Sequence, residues 1–298
     1  MPRSLVWPAY GVLVLVWSST WVAIKFGLEG TPPLLGAGVR FALAGVLLLG
    51  LARLWRRDLR TDRTLAAILA LLPFALTYGL IYWAEQYVPS GLAAVLFGVM
   101  PIYVAVLAAF LLADEAVRGR LFAGLAIALA GLVVAFGETL ELGHAERAVL
   151  GAAAVLLSPI ASAIGNVSIR LRARDRDPVV LNGWAMLGAG AVLLAVSAPT
   201  EAWGRAVWDA TAVGAIAYLA VLGSAVTFVL LTMLIRELGA IPMSYLPLIL
   251  PFGALVFGWA LYDERITPAA LAGAGLVAAG LLVAQGRVPG RAVRAVER

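Results

Sequence analysis

The sequence predicts an all-α integral membrane protein of ten transmembrane helices, arranged as two inverted five-helix repeats. Three observations lead there. Of 298 residues, 63% are apolar and 13% charged, and the mean hydropathy of +0.98 exceeds what a soluble domain carries. Apolar runs near the ~20 residues that cross a bilayer core follow one another along the chain. The close of the first half of the chain also recurs at the close of the second.

The first run, 8–28, follows Arg3 and so looks like a signal peptide, but it is too long and lacks a small-residue cleavage site. It reads as a span. Charges and Gly/Pro turns then delimit 33–54, 64–86, 90–112 and 119–136 in the first half, and 149–170, 178–197, 209–235, 240–261 and 267–286 in the second. With ten spans both termini share a side. Placing them in the cytoplasm collects 17 cations there, from Arg3, Arg53 to Arg63, Arg118 and Arg120, Arg170 to Arg176, Arg236 and the C-terminal arginines. The other side holds four, Lys25, Arg147, Arg205 and Arg265. An excess of cations marks the cytoplasmic face, so both termini are expected inside.

The repeat is visible in "FLLADEAVRGRLFAGLAIALAGLVVAFG" and "WALYDERITPAALAGAGLVAAGLLVAQG". Asp114, Glu115, Gly124, Gly131 and Gly137 match Asp263, Glu264, Gly273, Gly280 and Gly286 at a constant offset of 149. Five spans per half is an odd number, so residues 145–298 enter the membrane upside down relative to 1–144. That is a transporter architecture with its site near the midplane. The glycines of the fifth and tenth spans read as packing positions, because small residues let helices approach closely in lipid.

"WSSTWVAIKFGLEGTPPLLGAGVRFALAG", "MPIYVAVLAAFLLADE" and this repeat resemble the EamA-type branch of the drug/metabolite transporter superfamily over nearly the whole chain. Within it, length and aromatic pattern look most like the YddG-type bacterial amino-acid exporters. The resemblance implies a ten-helix carrier of small metabolites in the bacterial inner membrane, working by alternating access. It does not imply the substrate, since related branches carry sugars, nucleotide sugars and drugs.

Lys25, the only lysine, lies about 26 Å along the first span at ~1.5 Å per residue, near the outer boundary, where it can snorkel beside Glu29. Aligning the first span with the sixth sets Trp17, Trp21 and Lys25 on Ser162, Asn166 and Arg170, two stripes spaced by four, the second begun by Ser158. The four-helix multidrug pumps of the superfamily resemble this span, with an acid where Trp17 stands. No Asp or Glu lies mid-span here and the nearest is Glu85 at an outer end, so proton exchange by the pumps' route is not expected.

Helical spacing supplies further wall candidates. Phe74, Tyr78 and Tyr82 share a face of the third span, and Phe97, Met100 and Pro101 fall at mid-depth in the fourth. In "SYLPLILP", Ser244, Leu248 and Pro251 share a side, with Pro247 adjacent. Prolines four apart free carbonyls and bend the helix, and broken helices are where transporters bind substrate. A wall of Trp17, Tyr78 and Tyr82 with Ser158, Ser162 and Ser244 suits neutral amino acids with apolar or aromatic side chains. Arg40, inside the second span with no acid there to pair with, reads as a structural cation bonded to carbonyls.

Other classes find little support. The chain has no cysteine, and its one histidine, His144, sits in a polar loop. It has no HExxH, GxSxG or mid-span Asp pair, so it is not expected to be an enzyme, and no cofactor or metal is expected. The net charge of +5 comes from loop arginines, which orient a membrane protein rather than bind nucleic acid. The expected partners are a small-molecule substrate, amino acids foremost, and the lipid bilayer, with the chain acting as a monomer.

Overall fold

The computed structural model describes residues 3–111, 119–137, 145–239, 243 and 246–285. The Asp114/Glu115 pair, His144, Ser244, Gly286 and both chain ends lie outside them. Among the described residues every regular element is helical. The helices are α1 (Arg3–Gly30), α2 (Pro33–Leu54), α3 (Arg63–Ala84), α4 (Ser90–Phe97), α5 (Met100–Leu111) and α6 (Gly119–Gly137). They continue with α7 (Ala145–Arg172), α8 (Pro178–Thr200), α9 (Ala210–Leu238), α10 (Leu250–Tyr262) and α11 (Pro268–Gln285). By length and apolarity α1, α2, α3, α7, α8 and α9 can each cross a membrane, and shorter apolar helices accompany them. This fits an integral membrane protein.

The helices depart from regularity where the sequence forces it. Pro101 offers no N–H to the Phe97 carbonyl, and the fourth run breaks at Gly98 and Val99 into α4 and α5. Pro251 likewise offers none to Pro247, and the ninth run shows a 3₁₀ turn, Leu246–Leu248, before α10 starts. The two breaks are neighbours, since a Cβ on Gly98 would lie 3.6 Å from the Pro247 carbonyl. π-Helical stretches interrupt α3 at Ala70–Leu76, around Pro73, and α9 at Val221–Val226. The Thr77 main-chain N–H closes the first π stretch on the Leu72 carbonyl, which leaves its hydroxyl for the neighbouring helix.

Small residues set the helix pairs. A Cβ on Gly280 of α11 would come 2.5 Å from the Gly124 carbonyl of α6, and one on Gly131 would come 2.8 Å from the Gly273 carbonyl. The glycines of the fifth and tenth spans therefore pack against each other, as their spacing suggests. Gly45 and Gly190 join α2 to α8 in the same way, at 2.5 Å from Leu187 N and 2.6 Å from Ala42 N.

The two ends of the bundle differ in chemistry. At one, exposed ion pairs link loops: Arg57 to Asp177 at 2.7 Å and Arg172 to Asp62 at 2.9 Å. At the other, carboxylates from loops cap neighbouring helices. Glu201 accepts from Leu34 and Leu35 N–H at the start of α2, and Glu264 from Ser90 and Gly91 N–H and the Ser90 hydroxyl at the start of α4. An anion beside a helix N-terminus satisfies orphan donors and opposes the helix dipole.

Candidate functional site

Where the breaks meet α1, α3, α7 and α9, the protein forms a cavity of about 60 Å³. It draws its wall from both halves of the chain. Seven of the residues singled out by spacing line it: Trp17, Trp21, Tyr78, Phe97, Met100, Ser162 and Asn166. Trp17 is held by its indole N–H donating to Thr227 Oγ1 at 2.9 Å, and Trp21 meets Phe97 edge-on at 5.7 Å between ring centres. Ser162 shares a 3.1 Å hydrogen bond with Thr77, which also donates to the Ser158 carbonyl.

The remaining candidates lie elsewhere. Tyr82 follows Tyr78 by one turn but is wholly buried, with its hydroxyl 3.4 Å from Arg40, so it backs the wall instead of forming it. Ser158 is also wholly buried and donates to the Val155 carbonyl of its own helix. Pro101 and Pro251 are buried off the cavity, where their effect is to break helices. Leu248 closes the 3₁₀ turn, its side chain outside the described set, as is Ser244.

Spacing alone did not single out Phe228, Leu231, Ile24, Ile81, Thr20 or Met243 as wall residues. Phe228 matters most, because its ring touches three others: Trp17 at 5.1 Å, Phe74 at 4.8 Å and Tyr78 at 6.1 Å. Spacing misses it because the π stretch Val221–Val226 just before it shifts the helical phase. Among the described residues the lining is apolar and aromatic with Thr20, Ser162 and Asn166 as its polar groups, and it carries no charged side chain.

The charges nearby face away from it. Arg40 is wholly buried behind Tyr78, its guanidinium carbon 4.6 Å from that ring. It donates to Ser224 Oγ at 2.8 Å and to the Gly223 carbonyl at 3.1 Å, both in the π stretch of α9. Arg40 is thus a structural cation bonded to a carbonyl and hydroxyls. Lys25 does not turn to Glu29, which is exposed. Its ammonium donates to the main-chain carbonyl of Glu85 at the end of α3, because that carbonyl has no helical partner to occupy it.

The family model for EamA-like transporters matches this chain twice, over residues 9–137 and 149–285. The uncharacterized transporter YoaV of Bacillus subtilis is 31% identical over 274 residues, 91% of this chain and 93% of its own. The uncharacterized inner membrane transporter YedA of Escherichia coli K12 is 33% identical over 269 residues, 87% and 85% of the two chains. An S-adenosylmethionine/S-adenosylhomocysteine transporter of Chlamydia trachomatis is 27% identical over 282 residues, 89% and 84% of the two. A crystal structure superposes on 95% of this chain and 96% of its own with a TM-score of 0.69 at 19% identity, a likeness of fold.

Proposed function

The chain belongs to the EamA-like transporter family, and from that premise we propose that it exports small neutral metabolites across the bacterial inner membrane by alternating access, neutral amino acids with apolar or aromatic side chains foremost. One observation carries the reading: the cavity presents five rings, Trp17, Trp21, Tyr78, Phe97 and Phe228, with a few neutral polar groups and no charge in its described lining. Rings take an apolar side chain, and Ser162, Asn166 and carbonyls freed near Pro247 take amino and carboxylate groups without a buried countercharge. At about 60 Å³ the space is far below the roughly 300 Å³ of a typical ligand pocket, so transport requires the halves to move apart.

The architecture proposed with it is ten spans in two inverted halves, 1–144 and 145–298, with both termini cytoplasmic and the chain acting as a monomer. Support comes from the double family match and from two hydrogen bonds that mirror each other, Thr77 to Ser162 and Thr227 to Trp17. The YddG-like subtype belongs to the same proposal and rests on length and aromatic pattern.

A second reading is an amino-acid derivative with a sulfonium, or another lipophilic cation. The activity of the Chlamydia relative favours it, as do ring faces that attract cations. A counterflow screen in proteoliposomes against amino acids, S-adenosylmethionine, sugars, nucleotides and cationic dyes tests both. Exchange of neutral amino acids supports the first reading. Exchange confined to charged species or sugars overturns it.

A further inference from the structure

Beyond the cavity wall at Ile24 and Ile81, an ionisable side chain follows within one turn on each stretch of chain. Lys25 follows Ile24 on α1, and Glu85 lies one turn past Ile81, its N–H donating to the Ile81 carbonyl at 2.9 Å. The Lys25 ammonium bonds the Glu85 main-chain carbonyl, tying the end of α3 to α1 across the end of the cavity. The Glu85 side chain is wholly buried, and neither carboxyl oxygen has a hydrogen-bond partner.

The neighbours of that carboxyl are already engaged. Within electrostatic reach are Lys25 of α1, Arg40 of α2, Tyr82 of its own helix, Tyr262 at the end of α10 and Glu264 beyond it. Arg40 is held by Ser224, Gly223 and Tyr82, and Glu264 by Ser90 and Gly91. From α7, Arg147 stands over the ring of Tyr87, 5.7 Å away. Lys25 has one positive charge between two acids, and the Glu264 oxygens are already taken up in capping α4. A second anion in a sealed space without a donor is costly, and a proton on it removes the cost.

We propose that Glu85 is a proton-binding site in the seal at this end of the cavity: protonated when the seal is shut, ionised when it opens to the outer aqueous phase. The proposal rests on the alternating-access reading with this end outward. The proton is taken from and returned to the outer solution, so none crosses the membrane. Outer pH then sets how often the seal opens, while a proton gradient does no work.

The absence of native cysteine makes the test direct. Ile81→Cys, at the cavity wall, is labelled in right-side-out vesicles with a membrane-impermeant maleimide from roughly pH 5 to roughly pH 9, spanning the range of buried carboxyls. Thr200→Cys, exposed at the same end, corrects for the thiol's own ionisation. The expected result is a corrected labelling rate that rises with outer pH by up to about tenfold per unit, the limit for one proton. Adding Glu85→Gln should leave it slow and flat, while Glu85→Asp should restore a pH response. Outer labelling with an unchanged response in Glu85→Gln overturns the proton site alone. Labelling that reaches Ile81→Cys only from the inner side contradicts the outward orientation, and this proposal with it.

Discussion

Arg40 and Glu85 are both wholly buried ionisable residues, and the protein treats them in opposite ways. Arg40 spends its guanidinium on a π-stretch carbonyl, a serine and a tyrosine, and covers the ring faces of Phe41 and Tyr78. Each of its three guanidinium nitrogens has an acceptor. Neither oxygen of the Glu85 carboxyl has a donor, although a cation is bonded to the same residue's main chain. A closed polar network fixes two helices against each other, whereas an open one is settled only when something arrives to complete it. The contrast separates a girder behind the cavity from a joint at its end.

Breaking the closed circuit should have the largest effect. Arg40→Met strands Ser224, Tyr82 and the Gly223 carbonyl, and is expected to destabilise the protein by about 3–5 kcal/mol, read as a lower unfolding midpoint in detergent. Ser224→Ala removes one bond to a charged donor and should cost about 1.5–3 kcal/mol in the same assay. Glu85→Gln sharpens the comparison, because a neutral side chain suits an unpaired buried position. Its midpoint should stay within about 1 kcal/mol of the parent. A loss as large as that of Arg40→Met would mean that Glu85 is a second girder.

The smallest effect belongs to the exposed end. Arg172→Ala should cost about 0–1 kcal/mol. The Leu65 N–H, and then Arg172, hold the Asp62 carboxyl below its usual range. A carboxyl lowered on folding stabilises the fold above its ordinary pKa, and that gain is lost as pH falls through the lowered value. The penalty of Arg172→Ala should therefore be present at neutral pH and shrink on acidification, checked by unfolding midpoints at the two pH values.

Six membrane-length helices were legible because an apolar run must be as long as the membrane is thick, and the helix breaks because proline lacks an N–H. The stripe of Trp17 and Trp21 was legible from spacing by four. Tyr78 and Tyr82 were not separable that way: they share a stripe, and only the tertiary position of Arg40 draws the second ring behind the wall. Glu85 could be placed at the end of a span from the sequence. Its closeness to Lys25, 60 residues away, arises from helix packing that no local pattern encodes. Phe228 was hidden for a similar reason, since the π stretch before it shifts the helical phase.

The central claim, that the aromatic cavity holds the substrate, is tested most directly by counterflow of the best substrate from the screen at limiting concentration. Tyr78→Ala and Trp17→Ala are compared with Trp55→Ala, whose ring is exposed at the arginine-rich end. Losing a partly buried ring contact is worth about 1–3 kcal/mol, so the two cavity variants should each fall about 5-fold to 100-fold while Trp55→Ala stays near the parent. If both cavity variants insert in the membrane and transport at the parent's rate, those rings are packing residues and the substrate binds elsewhere.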